Sequence, residues 1–523
     1  MHVELIVALV LASAVLAGIA HAIGVHYAIV LVLGGLALGF VPGLPSTRVA
    51  PDVVLLLFLP PLVYAASFGS SPQDVRAHAR PIGILAVGLV LATMCAVAVV
   101  IHAAAGIGWG PAMVLGAILG PTDPVAATSV LRRLGAPDRI STVLEGEALI
   151  NDGTGLTVYT LAVSAVVSGH FSLVHGVGQF FAVSAGGVAI GLAVAWISSR
   201  VRRRIEEPAL EISISLLTAY VAYIPAQRVG ASGVLAAVAA GLYASSRAGT
   251  VLAPASRIQM LGFWEVLTFL FESVLFLLIG LQLKSIVSGL QGGVGTPLLY
   301  AGAVIGAAVV IRMAWMFAVP ALVRVANLRG RGEPRQTTGE LIVLGWSGMR
   351  GGVSLAAALA IPLTAGHHAF SDRSTLIFVA FVAIAVTLVV PGLTIGPLVR
   401  RLGIGEEEET ARAETEARIA LARAALRHIE EVAERDHLEA RVVEPLRTNY
   451  ELRIHRLAPH AEPEDNGRAG DAELAREARR LRRELIEIER AQLGELRRSG
   501  KLSLASLRRI ERELDLEASR LAG

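Results

Sequence analysis

Two acids lie where water is scarce. Asp123 belongs to Gly120-Pro121-Thr122-Asp123-Pro124, and Asp152 to Glu145-Gly146-Glu147-Ala148-Leu149-Ile150-Asn151-Asp152-Gly153. The apolar stretches around them are long enough to cross a bilayer. A carboxylate at that depth is costly and marks an ion or proton path by default. It becomes tolerable in two ways, by binding a proton or by binding a cation. If only one fits at a time, protons and cations compete for the same oxygens and the group is an exchanger. A small hard cation takes oxygen ligands. Asp152, Thr122 and the carbonyls freed by Pro121 and Pro124 can supply them, with Asn151 directly beside the carboxylate. Asp152 is the leading candidate. Asp123 has a second reading, in which it only offsets positive helix ends. Thr122 equally reads as the cap of a broken helix.

Other charges frame this pair. Glu147 lies five residues before Asp152, about 140° away around a helix. Arg350 is a candidate partner either for Glu147 or for the negative ends of broken helices. A buried ion pair serves architecture even where it adds little net stability. Direct ion coordination by Glu147 is the alternative. Glu145 is nearer a span end and reads as a funnel residue. Glu265 and Glu272 are seven residues apart, hence on one helical face. They either line the funnel or meet Arg312. The histidines fall at span ends and in loops and are poor site candidates.

The elements that must hold these residues are membrane spans. Of 523 residues, 54% are hydrophobic, and the mean hydropathy is +0.62. That excludes an ordinary soluble protein of this size. Apolar stretches fall at 3–22, 27–43, 51–67, 81–104, 110–131, 140–166, 174–199, 209–226, 231–246, 259–283, 298–323, 340–363 and 374–398. This is the pattern of an all-α polytopic membrane protein with about thirteen spans. Met1-His2-Val3-Glu4 lacks the positive n-region of a signal peptide. The one cysteine, Cys95, lies within a span, so no intrachain disulfide is expected.

Arginine sets the expected orientation. With the N-terminus outside, the inner loops carry seventeen arginines, while the outer ones hold only Arg48, Arg228, Lys284 and Arg373. That is a strong positive-inside bias. Setting the seventh span aside as a connector leaves two six-span sets of inverted topology. The fifth span of each has the unusual backbone: Gly116, Gly120, Pro121 and Pro124 in one, Gly345, Gly348, Gly351, Gly352 and Pro362 in the other. Interrupted spans at matching positions point to the site of a secondary transporter. After Gly405 the composition turns rich in Glu, Arg, Leu and Ala. The expected division is therefore a membrane domain, 1–405, and a helical cytoplasmic tail, 406–523. Leu474, Ala478, Leu481, Leu485 and Ile488 recur at helical spacing there. Pro459, Pro463, Gly467 and Gly470 suggest a linker.

Taken together, Thr122-Asp123-Pro124, Asn151-Asp152 and Gly348-Met349-Arg350-Gly351-Gly352 resemble bacterial sodium/proton antiporters of the NhaP/NHE type, the electroneutral branch of the monovalent cation/proton antiporters. The resemblance covers residues 1 to about 400. It implies an NhaA-like antiporter fold with crossed broken helices, and a homodimer in the bacterial plasma membrane. It implies exchange of Na+, with Li+ often accompanying it, for H+ by alternating access, serving pH and sodium homeostasis. Asp152 matches the ion- and proton-binding aspartate, and Asn151 the asparagine that replaces the second acid of the electrogenic branch. Thr122 matches a residue near the ion, Asp123 the helix-end acid, and Glu147 with Arg350 a structural ion pair. One departure is Ala148, where many members have a serine that helps hold sodium.

Two other readings stay open. One is a potassium/proton or other cation exchanger, given the missing serine. The other is a channel or a non-transporting membrane sensor. A Thr-Val-Gly-Tyr-Gly filter is absent, against a potassium channel. The chain has no enzyme constellation or nucleotide-binding loop. Nor has it a basic stripe interleaved with aromatics, so neither a cofactor nor a nucleic-acid partner is expected.

Overall fold

The computed structural model describes residues 3–39, 51–169, 173–205, 207–252, 254–290, 293–325, 337–365, 368–404, 408–435 and 439–457. The chain divides into two compact units, Met1–Gly405 and Glu406–Gly523. The first is nearly all helix: α1 (Val3–Ile23), α2 (Tyr27–Gly39), α3 (Pro51–Gly69), the short α4 (Pro72–Ala77), and α5 (Ala79–Gly83), which runs through a π-helical stretch Ile84–Leu89 into α6 (Val90–Ala105). Then come α7 (Trp109–Leu119), α8 (Val125–Arg133), α9 (Asp138–Ser168), α10 (Leu173–Arg202), α11 (Pro208–Arg228), α12 (Gly233–Val251), α13 (Pro254–Ser288) and α14 (Gly295–Val325). The unit closes with α15 (Thr338–Trp346), α16 (Gly352–Leu359), a two-stranded hairpin of Thr364–Ala365 and His368–Ala369, and α17 (Arg373–Leu402).

Each apolar stretch of the sequence carries a helix or a pair of half-helices. The helices often outrun the stretch, as α13 does at both ends of 259–283. Hydropathy marks the depth of the bilayer, whereas a helix ends where its backbone finds other partners. Among the described residues six helices are long and apolar enough to cross a membrane. α9 has the length, roughly 46 Å for 31 residues at 1.5 Å each, but carries Glu145, Glu147 and Asp152. Within these helices hydroxyls turn back on their own backbone, as Ser67 does on Val63 and Thr387 on Ala383. That satisfies them where water is absent. The second unit contains α18 (Glu408–Arg435) and α19 (Ala440–Leu457). The helical face from Leu474 to Ile488 and the Pro459–Gly470 linker lie outside the described residues.

Two helices meet so closely that only glycine fits between them. A Cβ on Gly35 of α2 would lie 2.3 Å from the carbonyl oxygen of Leu277, and one on Gly280 of α13 would lie 2.2 Å from that of Val32. Small residues of this kind let membrane helices bring their backbones together. The substitution Gly280→Ala should therefore cost about 1–3 kcal/mol through overpacking. A lower melting temperature in detergent than wild type checks it. Gly302→Ala, at a position with nothing within 4 Å, should melt like wild type.

Candidate functional site

Proline and glycine unwind two segments where they cross. Between α7 and α8, Gly120–Pro124 is non-helical, because Pro121 and Pro124 have no N–H to donate. Between α15 and α16, Ser347–Gly351 is likewise open. The two strands of backbone touch: Asp123 N donates to Met349 O at 2.8 Å. A Cβ on Gly351 would fall 2.0 Å from Asp123 Oδ2, so no side chain fits there.

The crossing creates four half-helix ends inside the protein, and charged side chains serve three of them. Asp123 Oδ1 accepts from Val125 N at 3.0 Å, at the positive start of α8. Arg350 donates through Nε to Leu119 O at the negative end of α7, 3.0 Å, and through Nη1 to Gly348 O, 3.1 Å. Arg312 of α14 donates through Nη2 to Leu344 O near the end of α15, 3.1 Å. Unserved, such ends would leave carbonyls and partial charges buried in an apolar surround.

The expected pairing of Glu147 with Arg350 is corrected here. Glu147, 2% exposed, is held by Arg312 in a two-pronged bridge of 2.6 Å and 3.0 Å. Arg350 is committed to backbone carbonyls instead, the other role open to it from the sequence. Arg312 in turn does not meet Glu265 or Glu272. Glu265 is exposed on α13, and Glu272 accepts a hydrogen bond from Tyr27 Oη of α2.

Thr122 ties the pieces together. Its hydroxyl donates to Glu147 Oε1 at 2.8 Å and accepts from Asn151 Nδ2 at 3.1 Å. Asn151 Nδ2 also donates to Thr122 O at 2.9 Å. The Thr122 hydroxyl is therefore spent on the framework, and any ion-ligating role falls to the remaining lone pair of its carbonyl. Asn151 is fully buried.

Asp152 stands apart. It is half-buried near the middle of α9, and among the described residues no hydrogen bond or ion pair reaches its carboxylate. It lines a cavity of about 360 Å³ together with Thr122, Asp123, Ala148, Glu145 and Glu272. Glu145 is bridged to Arg132 at 2.6 Å, with the arginine side chain 64% exposed, so this pair sits at the solvent end of the cavity wall. Sequence reasoning missed the roles of Arg312 and Tyr27. Arg312 was visible as an arginine inside a span, a signal of buried pairing, but nothing in the sequence gave its register against α9.

Removing one partner of a buried ion pair strands the other, at about 3–5 kcal/mol. Arg312→Gln is therefore expected to lose folded protein in size-exclusion chromatography and to melt well below wild type. Adding Glu147→Gln should recover part of that loss. Equal behaviour of the single and double variants would argue against the bridge.

Residues 9–401 match the family described as sodium/hydrogen exchanger, transmembrane. An uncharacterised Na+/H+ exchanger of Mycobacterium tuberculosis is 35% identical over 99% of this chain and 95% of its own. The Na+/H+ antiporter NhaP of Pseudomonas aeruginosa is 30% identical over 68% of this chain and 83% of its own. The fold resembles that of the sodium proton antiporter MjNhaP1 from Methanocaldococcus jannaschii, with a TM-score of 0.61 at 17% identity, over 76% of this chain and 98% of that one. By its matched residues and its relatives, the chain belongs to the sodium/hydrogen exchanger family.

Proposed function

We propose that this Na+/H+ antiporter trades one sodium ion for one proton at a single carboxylate, that of Asp152, with no net charge moved. One observation carries this reading. Of the site carboxylates, Asp123 accepts from Val125 N, Glu147 is bridged to Arg312, Glu145 to Arg132, and Glu272 is bonded by Tyr27. Only the Asp152 carboxylate, among the described residues, faces the cavity without a protein donor. A lone carboxylate at that depth binds a proton or a cation, and Asn151 occupies the place of a second acid. In this reading the Thr122 carbonyl contributes a ligand, and Glu147, Asp123, Arg350 and Arg312 form the frame.

The reading extends to architecture. Thirteen crossings with the N-terminus outside, the tail in the cytoplasm and a homodimer in a bacterial plasma membrane fit the arginine bias and the family. The inverted repeat is supported by packing. α2 packs on α13 as α3 packs on α12, and exchanging the two six-span sets converts one pair into the other. The close contacts follow: Gly35 abuts the carbonyl of Leu277, and Gly241 that of Tyr64.

Ala148 lines the cavity, at the position where the family resemblance implies a serine. The missing hydroxyl keeps K+ as the runner-up cation, and Li+ as a companion of Na+. The test is dissipation of an imposed pH gradient in proteoliposomes by Na+, Li+, K+ or choline, with and without a potential clamp. Na+-driven dissipation that ignores the clamp and is abolished by Asp152→Asn is expected. Normal exchange by Asp152→Asn would overturn the assignment. Ala148→Ser restores an oxygen ligand and should lower the apparent KM for Na+ about threefold to tenfold, on the scale of one hydrogen-bond-strength contact.

A further inference from the structure

The cavity has two walls of different construction. Asp152, Thr122 and Asp123 come from α9 and the unwound segment before α8. Glu272 comes from α13, which packs closely on α2 at Gly35 and Gly280. Tyr27 of α2 donates to Glu272 Oε2, and its ring meets Phe269 edge-on, 5.3 Å between centroids. The carboxylate is thus held between two helices whose backbones pack closely at Gly35 and Gly280. Tyr27 occupies one oxygen. Among the described residues no hydrogen bond reaches the other, and Glu272 lines the same cavity as Asp152.

We propose that Glu272 is a cation-attracting residue: a fixed carboxylate on the α2–α13 wall whose charge draws Na+ into the cavity toward Asp152. This rests on the reading of Asp152 as the exchanging group. A hard cation seeks carboxylate oxygen. A second negative charge across a cavity walled by low-dielectric protein raises the local cation concentration. The tyrosine bond orients the carboxylate and keeps it on the wall, so its charge acts across the cavity on a cation near Asp152. The other charged groups of the cavity lining are Asp123 and the bridged pair Arg132–Glu145.

A purely structural role makes the opposite prediction, which makes the inference testable. Glutamine also accepts a hydrogen bond from Tyr27, so Glu272→Gln keeps the wall but removes the charge. Tyr27→Phe keeps the charge but removes the bond. In proteoliposomes holding the full chain, Glu272→Gln should raise the apparent KM for Na+ about tenfold, the effect of one unit charge roughly 10 Å away at an effective dielectric near 20. Its kcat should change little. Tyr27→Phe should leave KM within about twofold, well below the tenfold effect expected from removing a unit charge, and Glu272→Asp should recover part of the loss. An unchanged KM in Glu272→Gln with a large loss in Tyr27→Phe would make the pair a staple and overturn the inference. Asp152→Asn, assayed alongside, separates the two readings. If it is dead while Glu272→Gln is normal, only the role of Glu272 falls. If it exchanges normally, the Asp152 reading falls first.

Discussion

Two unwound strands of backbone cross in the interior of the membrane unit, and the rest of the site follows from that constraint. Unwinding exposes carbonyls and N–H groups that a bilayer interior cannot satisfy. The chain answers with side chains. Asp123 caps one positive end, while Arg350 and Arg312 each take a carbonyl from a negative one. Arg312 then serves twice, because the same guanidinium grips Glu147. Thr122 and Asn151 stitch that bridge to the first crossing strand. Each bond fixes a neighbour, so the frame behaves as one unit.

The charges of that frame are informative as a sum. Asp123 and Glu147 contribute two negatives, and Arg312 and Arg350 two positives. They cancel. Asp152 is the fifth charge, and nothing in the frame compensates it. On the proposed reading this is why it exchanges a proton for one monovalent cation. Either ion neutralises that carboxylate, so one proton leaves for each cation that binds. Electroneutral exchange then follows from a neutral frame around a single exchanging acid, while the fixed charge of Glu272 on the other wall stays unchanged through the cycle.

Much of this was legible in the sequence. The periodic apolar stretches located the helices, and the proline and glycine clusters located both breaks, because those residues act on their own backbone. Asp152 and Asn151 were visible for the same local reason: a carboxylate in an apolar run is conspicuous wherever it packs. The partner of Glu147 was not legible. Arg312 and Arg350 are both arginines inside spans, and choosing between them requires the depth and rotation of three helices that the sequence leaves unrelated. Tyr27 was harder still. A tyrosine at a span end looks like an interfacial anchor, and only the packing of α2 against α13 turns it inward to Glu272.

That packing has a consequence for how the protein is made. The residues joined by the Tyr27–Glu272 bond are 245 positions apart, and the glycine contact beside them spans a similar distance. At roughly 5–20 residues per second, α2 waits about 12–50 s after its synthesis before α13 exists to receive it. Throughout that interval its glycine-lined flank faces lipid or the insertion machinery with no partner. The α2–α13 wall thus forms only after the chain has been made past Ser288, although α2 is among the first segments to enter the membrane. Nascent chains stalled before α13 should carry this early helix in an unassembled state, open to quality-control proteases that would find nothing to grip in the finished exchanger.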